Sequence, residues 1–216
     1  MKETMFIDPQ RCIGCRSCVA ACRECDTHKG YSMIFVDYID RSETTATMPT
    51  VCMHCTEPTC ALVCPADAIK QNEDGVVMSA LKPRCLDCRN CVNACPFGVP
   101  KYNSQMHLQM KSDMCFDRTS EGLKPMCASV CPTGAITFGK YEDVVPTRRT
   151  KPVNAHVFGN QRVETKVYLM LPTDAEEVKV DGCGVFEGKV LTESGETPTE
   201  SWIDTQVEES DKSNEF

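Results

Sequence analysis

The chain has 216 residues, a formal net charge of -8 and a mean hydropathy of -0.30. Aromatic residues make up 6% of it, which is lean for a large apolar core, and no stretch reaches the roughly 18 consecutive apolar residues of a membrane-spanning helix. We therefore expect no direct membrane span, and the acidic balance argues against a nucleic-acid partner.

Cysteine is the residue type that organises the sequence. All but two of the 17 cysteines lie in four runs, and the exceptions are Cys25 and Cys183. In chain order the runs are Cys12-x2-Cys15-x2-Cys18-x3-Cys22, Cys52-x2-Cys55-x4-Cys60-x3-Cys64, Cys85-x2-Cys88-x2-Cys91-x3-Cys95 and Cys115-x11-Cys127-x3-Cys131. The fourth run is one cysteine short, because Ser112 stands where the other runs have their first cysteine.

The spacing within a run is typical of iron-sulfur clusters. Thiolates at every third position of a tight turn can reach three corners of a cubane, and in paired bacterial sites the last cysteine of a run ligates the other cluster. A structural zinc site uses two separated pairs of ligands, and a disulfide scaffold is usually a small secreted domain. The runs therefore predict iron-sulfur clusters, with zinc as the remaining alternative.

Cys25 creates a second pattern, because Cys18-x3-Cys22-x2-Cys25 matches the spacing of radical S-adenosylmethionine enzymes. Cys18 and Cys22 already belong to the first run, however, and the chain is short for a barrel of roughly 200 residues or more. We therefore interpret Cys25 as a packed thiol beside the cluster ligands.

Short strands are predicted next to the runs. Residues 6–8 and 75–78 precede the first and third runs, and residues 68–70 and 135–138 follow the second and fourth as return strands. Short helices are expected between the cysteines, for instance over residues 92–94.

The predicted fold class is α+β, with two interlocked bacterial dicluster ferredoxin-like modules and a C-terminal extension. The predicted boundaries are 1–50 and 105–140 for the module of runs one and four, 51–104 for the module of runs two and three, 141–171 for the extension and 172–216 for an acidic tail. Within the extension, residues 162–168 alternate polar and apolar side chains, which predicts a strand, and an edge position would let it pair with a partner.

The net negative charge of the chain lies in the tail. Residues 172–216 contain 13 acidic and 3 basic side chains, whereas the other residues have slightly more basic than acidic side chains. Such a segment is poorly suited to folding alone. We expect it either to lie along a partner subunit with Trp202 as an anchor, or to be a solvated appendage.

The motifs around the cysteines resemble a known family. Run two reads Cys52-Met53-His54-Cys55-Thr56-Glu57-Pro58-Thr59-Cys60, and run four contains Cys115-Phe116-Asp117-Arg118 and Pro125-Met126-Cys127. The chain resembles, over about residues 5–140, the four-cluster iron-sulfur subunit of the molybdopterin oxidoreductases. That family includes the electron-transfer subunits of dimethyl sulfoxide reductase, formate dehydrogenase, respiratory nitrate reductase and polysulfide reductase.

The resemblance implies four ligand sets, because runs one and four pair in such subunits, as do runs two and three. The implied sets are Cys12, Cys15, Cys18 and Cys131 for the first cluster; Cys22, Cys115 and Cys127 with Ser112 at the open corner for the second; Cys52, Cys55, Cys60 and Cys95 for the third; and Cys85, Cys88, Cys91 and Cys64 for the fourth.

Ser112 leaves the species of the second cluster open. A 3Fe-4S cluster, a 4Fe-4S cluster with the serine alkoxide as fourth ligand, and a cluster ligated by water or Asp113 are the alternatives. Because thiolate is the softer and better ligand and an alcohol is hard to deprotonate, we expect three 4Fe-4S clusters and one 3Fe-4S cluster.

The expected function is electron transfer without catalysis in this chain. The resemblance implies a relay of single electrons between a large molybdenum or tungsten pterin catalytic subunit and a further electron donor or acceptor. The alternatives are an enzyme that binds substrate at an open iron of the Ser112 cluster, and a free polyferredoxin. None of the four histidines lies in a recognisable catalytic constellation, although His54 can tune its cluster by hydrogen bonding.

The expected location follows from the cysteines and the start of the sequence. Free thiols and cluster assembly favour synthesis in a reducing cytoplasm. Met1-Lys2-Glu3-Thr4 opens with no apolar signal region. We expect a cytoplasmic protein, or one exported in complex with a signal-bearing partner.

Overall fold

The computed structural model describes residues 3–28, 30–40 and 45–173. Residues 3–28, 30–40, 45–156 and 162–173 belong to one compact unit, which holds all four cysteine runs. The predicted tail falls outside the described residues from position 174 onward, and so does Trp202.

The described elements are short, which agrees with a chain organised around its cysteines. In chain order they are β1 (Glu3–Ile7), α1 (Ser17–Cys22), β2 (Phe35–Asp40), β3 (Thr45–Thr50), α2 (Thr59–Leu62), α3 (Asn90–Ala94), β4 (Lys101–Asn103), β5 (Leu108–Met110), α4 (Phe116–Thr119), α5 (Met126–Val130), β6 (Ile136–Lys140), α6 (Tyr141–Val144), β7 (Lys151–Phe158) and β8 (Gln161–Leu171). The described residues contain no helix that is long and apolar enough to cross a membrane.

The largest sheet joins the start of the sequence to its extension. Its strand order is β6-β1-β8-β7. Strand β1 pairs antiparallel with β6, as Ile7 lies opposite Ile136, and parallel with β8, as Phe6 lies opposite Tyr168. The central position of β1 matches its sequence, since Met5, Phe6 and Ile7 form an unbroken apolar run that is fully buried.

Three of the predicted strands and the predicted helix are confirmed, and two strands are wrong. Strand β1 covers most of residues 6–8, and β6 covers most of residues 135–138. Strand β8 contains residues 162–168, and helix α3 contains residues 92–94. Residues 68–70 and 75–78 form no strand, and their only bridge is Gln71 with Val77. The two segments do face each other, since Met78 N donates to Lys70 O at 2.8 Å and Leu81 N donates to Ala68 O at 2.9 Å. The register shifts by one residue between these two bonds, which interrupts the regular ladder of a strand pair.

Strand β8 is interior, so the prediction of an edge strand was wrong. It lies between β1 and β7 in the sheet, and its backbone also pairs with run two. Lys166 N donates to His54 O at 2.9 Å, and Thr56 N donates to Glu164 O at 2.8 Å. The extension therefore joins run two to the strand that precedes run one, while the predicted module boundaries stay a prediction.

The apolar core is built around thiols. The main cluster of buried residues includes Ile7, Val51 and Val76 as well as cysteines from all four runs. The cysteines fully within it are Cys18, Cys22, Cys60, Cys91 and Cys127.

Candidate metal centres

The four cysteine runs share one local structure. In each run the third cysteine position is the second residue of a short helix, and the last cysteine ends that helix or follows it. The helical cysteines are Cys18 in α1, Cys60 in α2, Cys91 in α3 and Cys127 in α5. This repeat places the third and fourth cysteines of a run at opposite ends of a single helical turn.

The turn before each helix is also repeated. The residue that precedes the second cysteine position has a positive φ in every run, with values of 68° at Gly14, 48° at His54, 56° at Asp87 and 60° at Met114. This conformation costs a non-glycine residue roughly 1–3 kcal/mol, and such strain is found at functional sites. Run four has the same positive φ at Met114 although its first position is Ser112. Its turn differs one residue later, because Cys115 also has a positive φ of 49°, which the second cysteine of the other runs does not.

The helices meet in two pairs. Helix α1 of run one packs against α5 of run four, and α2 of run two packs against α3 of run three. Because the last cysteine of each run lies at the far end of its helix, each pair brings that cysteine to the partner run.

Three cavities lie between the paired runs, and each is lined by the four cysteines of one predicted set. The sets are Cys12, Cys15, Cys18 and Cys131; Cys52, Cys55, Cys60 and Cys95; and Cys64, Cys85, Cys88 and Cys91. Each cavity is lined mainly by apolar atoms in addition to the four thiols. Four thiols that converge on one small cavity fit an iron-sulfur cluster in each.

Several of the thiols around these cavities are hard to ionise in the protein alone. Burial raises the pKa of Cys18 to about 11, of Cys55 to about 12 and of Cys60 to about 11, and neighbouring thiols add to the rise. A bound centre carrying positive iron removes this penalty, and ligation then releases protons.

Two of the complete sets reach the surface. Cys15 and Cys88 are exposed, and they stand beside Ile13 and Leu86, whose side chains are 67% and 68% exposed. The set that contains Cys52 is more enclosed, since its cysteines are buried or half-buried.

The second predicted site is buried throughout. Cys22 and Cys115 are each 3% exposed and Cys127 is 6% exposed. Burial, followed by the charge of Cys22, raises the pKa of Cys127. Ser112 is 5% exposed, and its hydroxyl accepts a hydrogen bond from Met114 N at 3.2 Å.

The comparisons with known proteins agree with this geometry. Residues 43–141 match the family model of the 4Fe-4S dicluster domain, and residues 3–24 match that of the 4Fe-4S binding domain. The B subunit of anaerobic dimethyl sulfoxide reductase from Escherichia coli is 33% identical over 161 residues, which cover 64% of this chain and 74% of that protein.

Two further relatives have names that state a role or a cofactor. The thiosulfate reductase electron transfer subunit PhsB of Salmonella typhi is 36% identical over 147 residues, covering 64% of this chain and 76% of the relative. The formate dehydrogenase iron-sulfur subunit of Haemophilus influenzae is 32% identical over 162 residues, covering 64% of this chain and 52% of the relative.

This protein belongs to the family of iron-sulfur subunits that includes the B subunit of dimethyl sulfoxide reductase. As a member of this iron-sulfur subunit family, it binds iron-sulfur clusters and has a mixed helix and strand fold of the ferredoxin type.

Sequence reasoning missed His28 at the second site of this iron-sulfur subunit and placed Cys25 beside the cluster ligands without assigning it to this site. Cys25, Cys115 and a ring nitrogen of His28 offer ligand atoms that all lie within 4.8 Å of one another. His28 Nδ1 is 3.2 Å from Cys22 Sγ, and His28 Nε2 is 3.0 Å from Asp113 Oδ1. Burial lowers the pKa of His28, but the hydrogen bonds to Asp113 and to the thiols outweigh it and raise that pKa to about 12. The spacing Cys22-x2-Cys25 was the signal that could have found them.

His54 lies in the turn of run two, and the structure leaves one of its nitrogens available. Its Nδ1 accepts a hydrogen bond from Val77 N at 2.9 Å, which leaves the proton on Nε2. Burial lowers the pKa of His54, so the ring is neutral. Within the described part of the chain, the buried Nε2 has no hydrogen-bond partner. Tuning of the cluster by His54 stays a prediction, and this donor is suited to it.

Lys111 places a buried cation beside the set that contains Cys52. It is 2% exposed, lines that cavity and donates to Val77 O and, at 3.3 Å, to Ser112 O. Its positive charge opposes the rise that burial causes in the pKa of Cys60. A positive charge beside a cluster stabilises the reduced form of that cluster, which is more negative than the oxidised form.

Replacing Lys111 with methionine is therefore expected to lower the midpoint potential of that cluster by roughly 40–130 mV. A unit charge roughly 6–15 Å away contributes about 1–3 kcal/mol at an effective dielectric constant of about 20, and 59 mV corresponds to about 1.4 kcal/mol for one electron. Potentiometric titration followed by electron paramagnetic resonance measures the shift. The exposed Lys140 on β6 provides the control, since Lys140→Met removes the same charge where water screens it. Equal potentials in both variants would show that Lys111 does not tune the cluster.

Proposed function

We propose that this iron-sulfur subunit carries four clusters and relays single electrons between a large molybdenum or tungsten pterin catalytic subunit and a further redox partner. The observation that carries the proposal is the set of three cavities, each lined by three cysteines of one run and one of another. A fourth group of buried thiols, with Cys22, Cys115 and Cys127, occupies the equivalent place in runs one and four. The names of the relatives, which include reductase subunits and an electron transfer subunit, support the role.

The ligand assignment we propose interlocks the runs. Each cluster takes three ligands from one run, and the fourth comes from the last cysteine of the paired run. The packing of α1 on α5 and of α2 on α3 supports this arrangement. This exchange of ligands requires paired runs, because a single run supplies only three cysteines that converge on one cluster.

The residues around the sites perform two tasks in this relay. Bound clusters supply one-electron exchange over a range of potentials set by hydrogen bonds, charge and exposure. Apolar side chains such as Ile69, Val76 and Val77, each 3% exposed or less, keep water away from the interior sites. The exposed Cys15 and Cys88 give the outer two sites access to partners, so electrons can enter at one and leave at the other.

The buried second site favours a relay over catalysis at an open iron. Cys22, Ser112 and Cys115 are each 5% exposed or less, and a substrate needs access to the metal that it binds. We also propose synthesis in the cytoplasm, followed by function there or export with a signal-bearing partner.

Purification of the tagged full-length chain from its native host under anaerobic conditions tests the function. We expect a large subunit containing molybdenum or tungsten to co-purify in equal amount. We also expect the separated chain to take up electrons from a strong reductant without turning over small substrates. Turnover by the separated chain would support the enzyme alternative, and the absence of a pterin subunit would support a free polyferredoxin.

A further inference from the structure

We propose that Cys25 supplies the ligand that run four lacks at Ser112, so that the second site holds a 4Fe-4S cluster on Cys22, Cys25, Cys115 and Cys127. This inference rests on the proposed function, which places a cluster at that site. It replaces the expected three-iron centre with a cubane held by thiolates alone.

The position of Cys25 is set by the end of α1. The chain turns directly after Cys22, because Cys25 N donates to Cys22 O at 3.4 Å and His28 N donates to Cys25 O at 3.0 Å. The turn buries Cys25, which is 2% exposed. A thiol just beyond the usual last cysteine of run one is thereby directed into the interior.

The same turn is attached to the loop of run four. Thr27 Oγ1 donates to Asp113 Oδ1 at 3.1 Å across 86 residues of sequence, and His28 Nε2 is 3.0 Å from the same oxygen. The Cys25 thiol donates to Asp117 Oδ1 at 3.3 Å. Contacts on both sides of Cys115 therefore hold Cys25 against the part of run four where the cysteine is missing.

Cys25 also lies within reach of the other thiols of that site. Its ligand atom and that of Cys115 are within 4.8 Å of each other, and Cys115 interacts electrostatically with Cys127. Cys127 interacts in turn with Cys22. The four thiols thus form one connected, buried group.

Neither Ser112 nor His28 is as well suited to be the fourth ligand. The Ser112 hydroxyl already accepts a hydrogen bond from Met114 N within its own loop, and an alkoxide oxygen is harder than these clusters prefer. Both ring nitrogens of His28 have partners, since Nδ1 faces Cys22 and Nε2 faces Asp113. His28 thus orients the thiols and the loop. The Cys25 thiol also has a partner, Asp117 Oδ1 at 3.3 Å, but its sulfur is the soft donor that these clusters prefer once the thiol proton is released.

The test compares the oxidised full-length chain with three variants, using electron paramagnetic resonance and iron analysis. The native chain is expected to contain about 16 iron atoms and to show no signal of an oxidised three-iron cluster. Cys25→Ser should produce that signal and lose about one iron per chain. Adding Ser112→Cys to that variant should restore the native spectrum, because it returns a thiol to the usual position.

Ser112→Ala is the matched control. It should leave the native spectrum unchanged if Cys25 is the ligand, and should create the three-iron signal if Ser112 is. A native chain that already shows the three-iron signal, unchanged in Cys25→Ser, overturns the role of Cys25 but leaves the four-cluster relay standing. A chain with about 12 iron atoms, with or without a zinc ion at Cys25, His28 and Cys115, overturns both this inference and the four-cluster part of the proposed function. Should Cys25→Ser fail to fold, Ser112→Ala and Asp113→Asn take its place. A native cubane spectrum that is unchanged in both supports Cys25 as the ligand, and the three-iron signal in either variant overturns it.

Discussion

Removing iron from the purified chain is expected to unfold most of it. Five buried cysteines lie inside the main group of buried apolar residues, so bound iron-sulfur clusters lie within the core. These cysteines are Cys18, Cys22, Cys60, Cys91 and Cys127. Metal binding that requires the folded chain contributes directly to its stability, on the order of 10 kcal/mol for a structural zinc site. That contribution is as large as the whole stability of a typical domain, about 5–15 kcal/mol.

Circular dichroism during anaerobic chelation measures this effect. We expect the far-ultraviolet signal to collapse together with the visible absorption of the clusters, and to return when iron and sulfide are added back. A parallel sample with chelator already saturated by iron is the control. Native helix and strand content that survives complete loss of iron would show that the short elements fold without the clusters.

Replacing Cys95 with alanine is expected to remove the cluster of run two and to spare the cluster of its own run. Cys95 lines the cavity of Cys52, Cys55 and Cys60, whereas Cys64 lines that of run three. Loss of one thiolate leaves a three-ligand site, and the cluster there should lose an iron or fail to assemble. The reverse is expected for Cys64→Ala.

Two companion variants assign the signals. Cys55→Ala damages only the run-two site and Cys88→Ala only the run-three site, because each of these cysteines lies in the loop of its own run. The reduced spectrum of Cys95→Ala should therefore match that of Cys55→Ala. A match to Cys88→Ala would mean that each run binds its own fourth ligand, and the interlocking proposed here would be wrong.

The grouping of the thiols could be anticipated from the sequence. The three complete sets that the family resemblance implied each line one cavity, while their ligation of clusters stays a prediction. The turn and helix of a run are made by consecutive residues, so local spacing places its thiols close together. Short strands were less predictable, because residues 68–70 and 75–78 have suitable apolar side chains but form only a single bridge, at Gln71 and Val77.

Local spacing thus determined the ligand type, the loop geometry and the helices that carry Cys18, Cys60, Cys91 and Cys127. Tertiary structure alone decided the place of the extension, because the alternation over residues 162–168 predicts a strand but not the neighbours that put β8 beside β1. It also decided the surroundings of Cys25. A hydrogen bond between Thr27 and Asp113 joins segments 86 residues apart, and a contact of this kind cannot be predicted from the spacing of nearby residues.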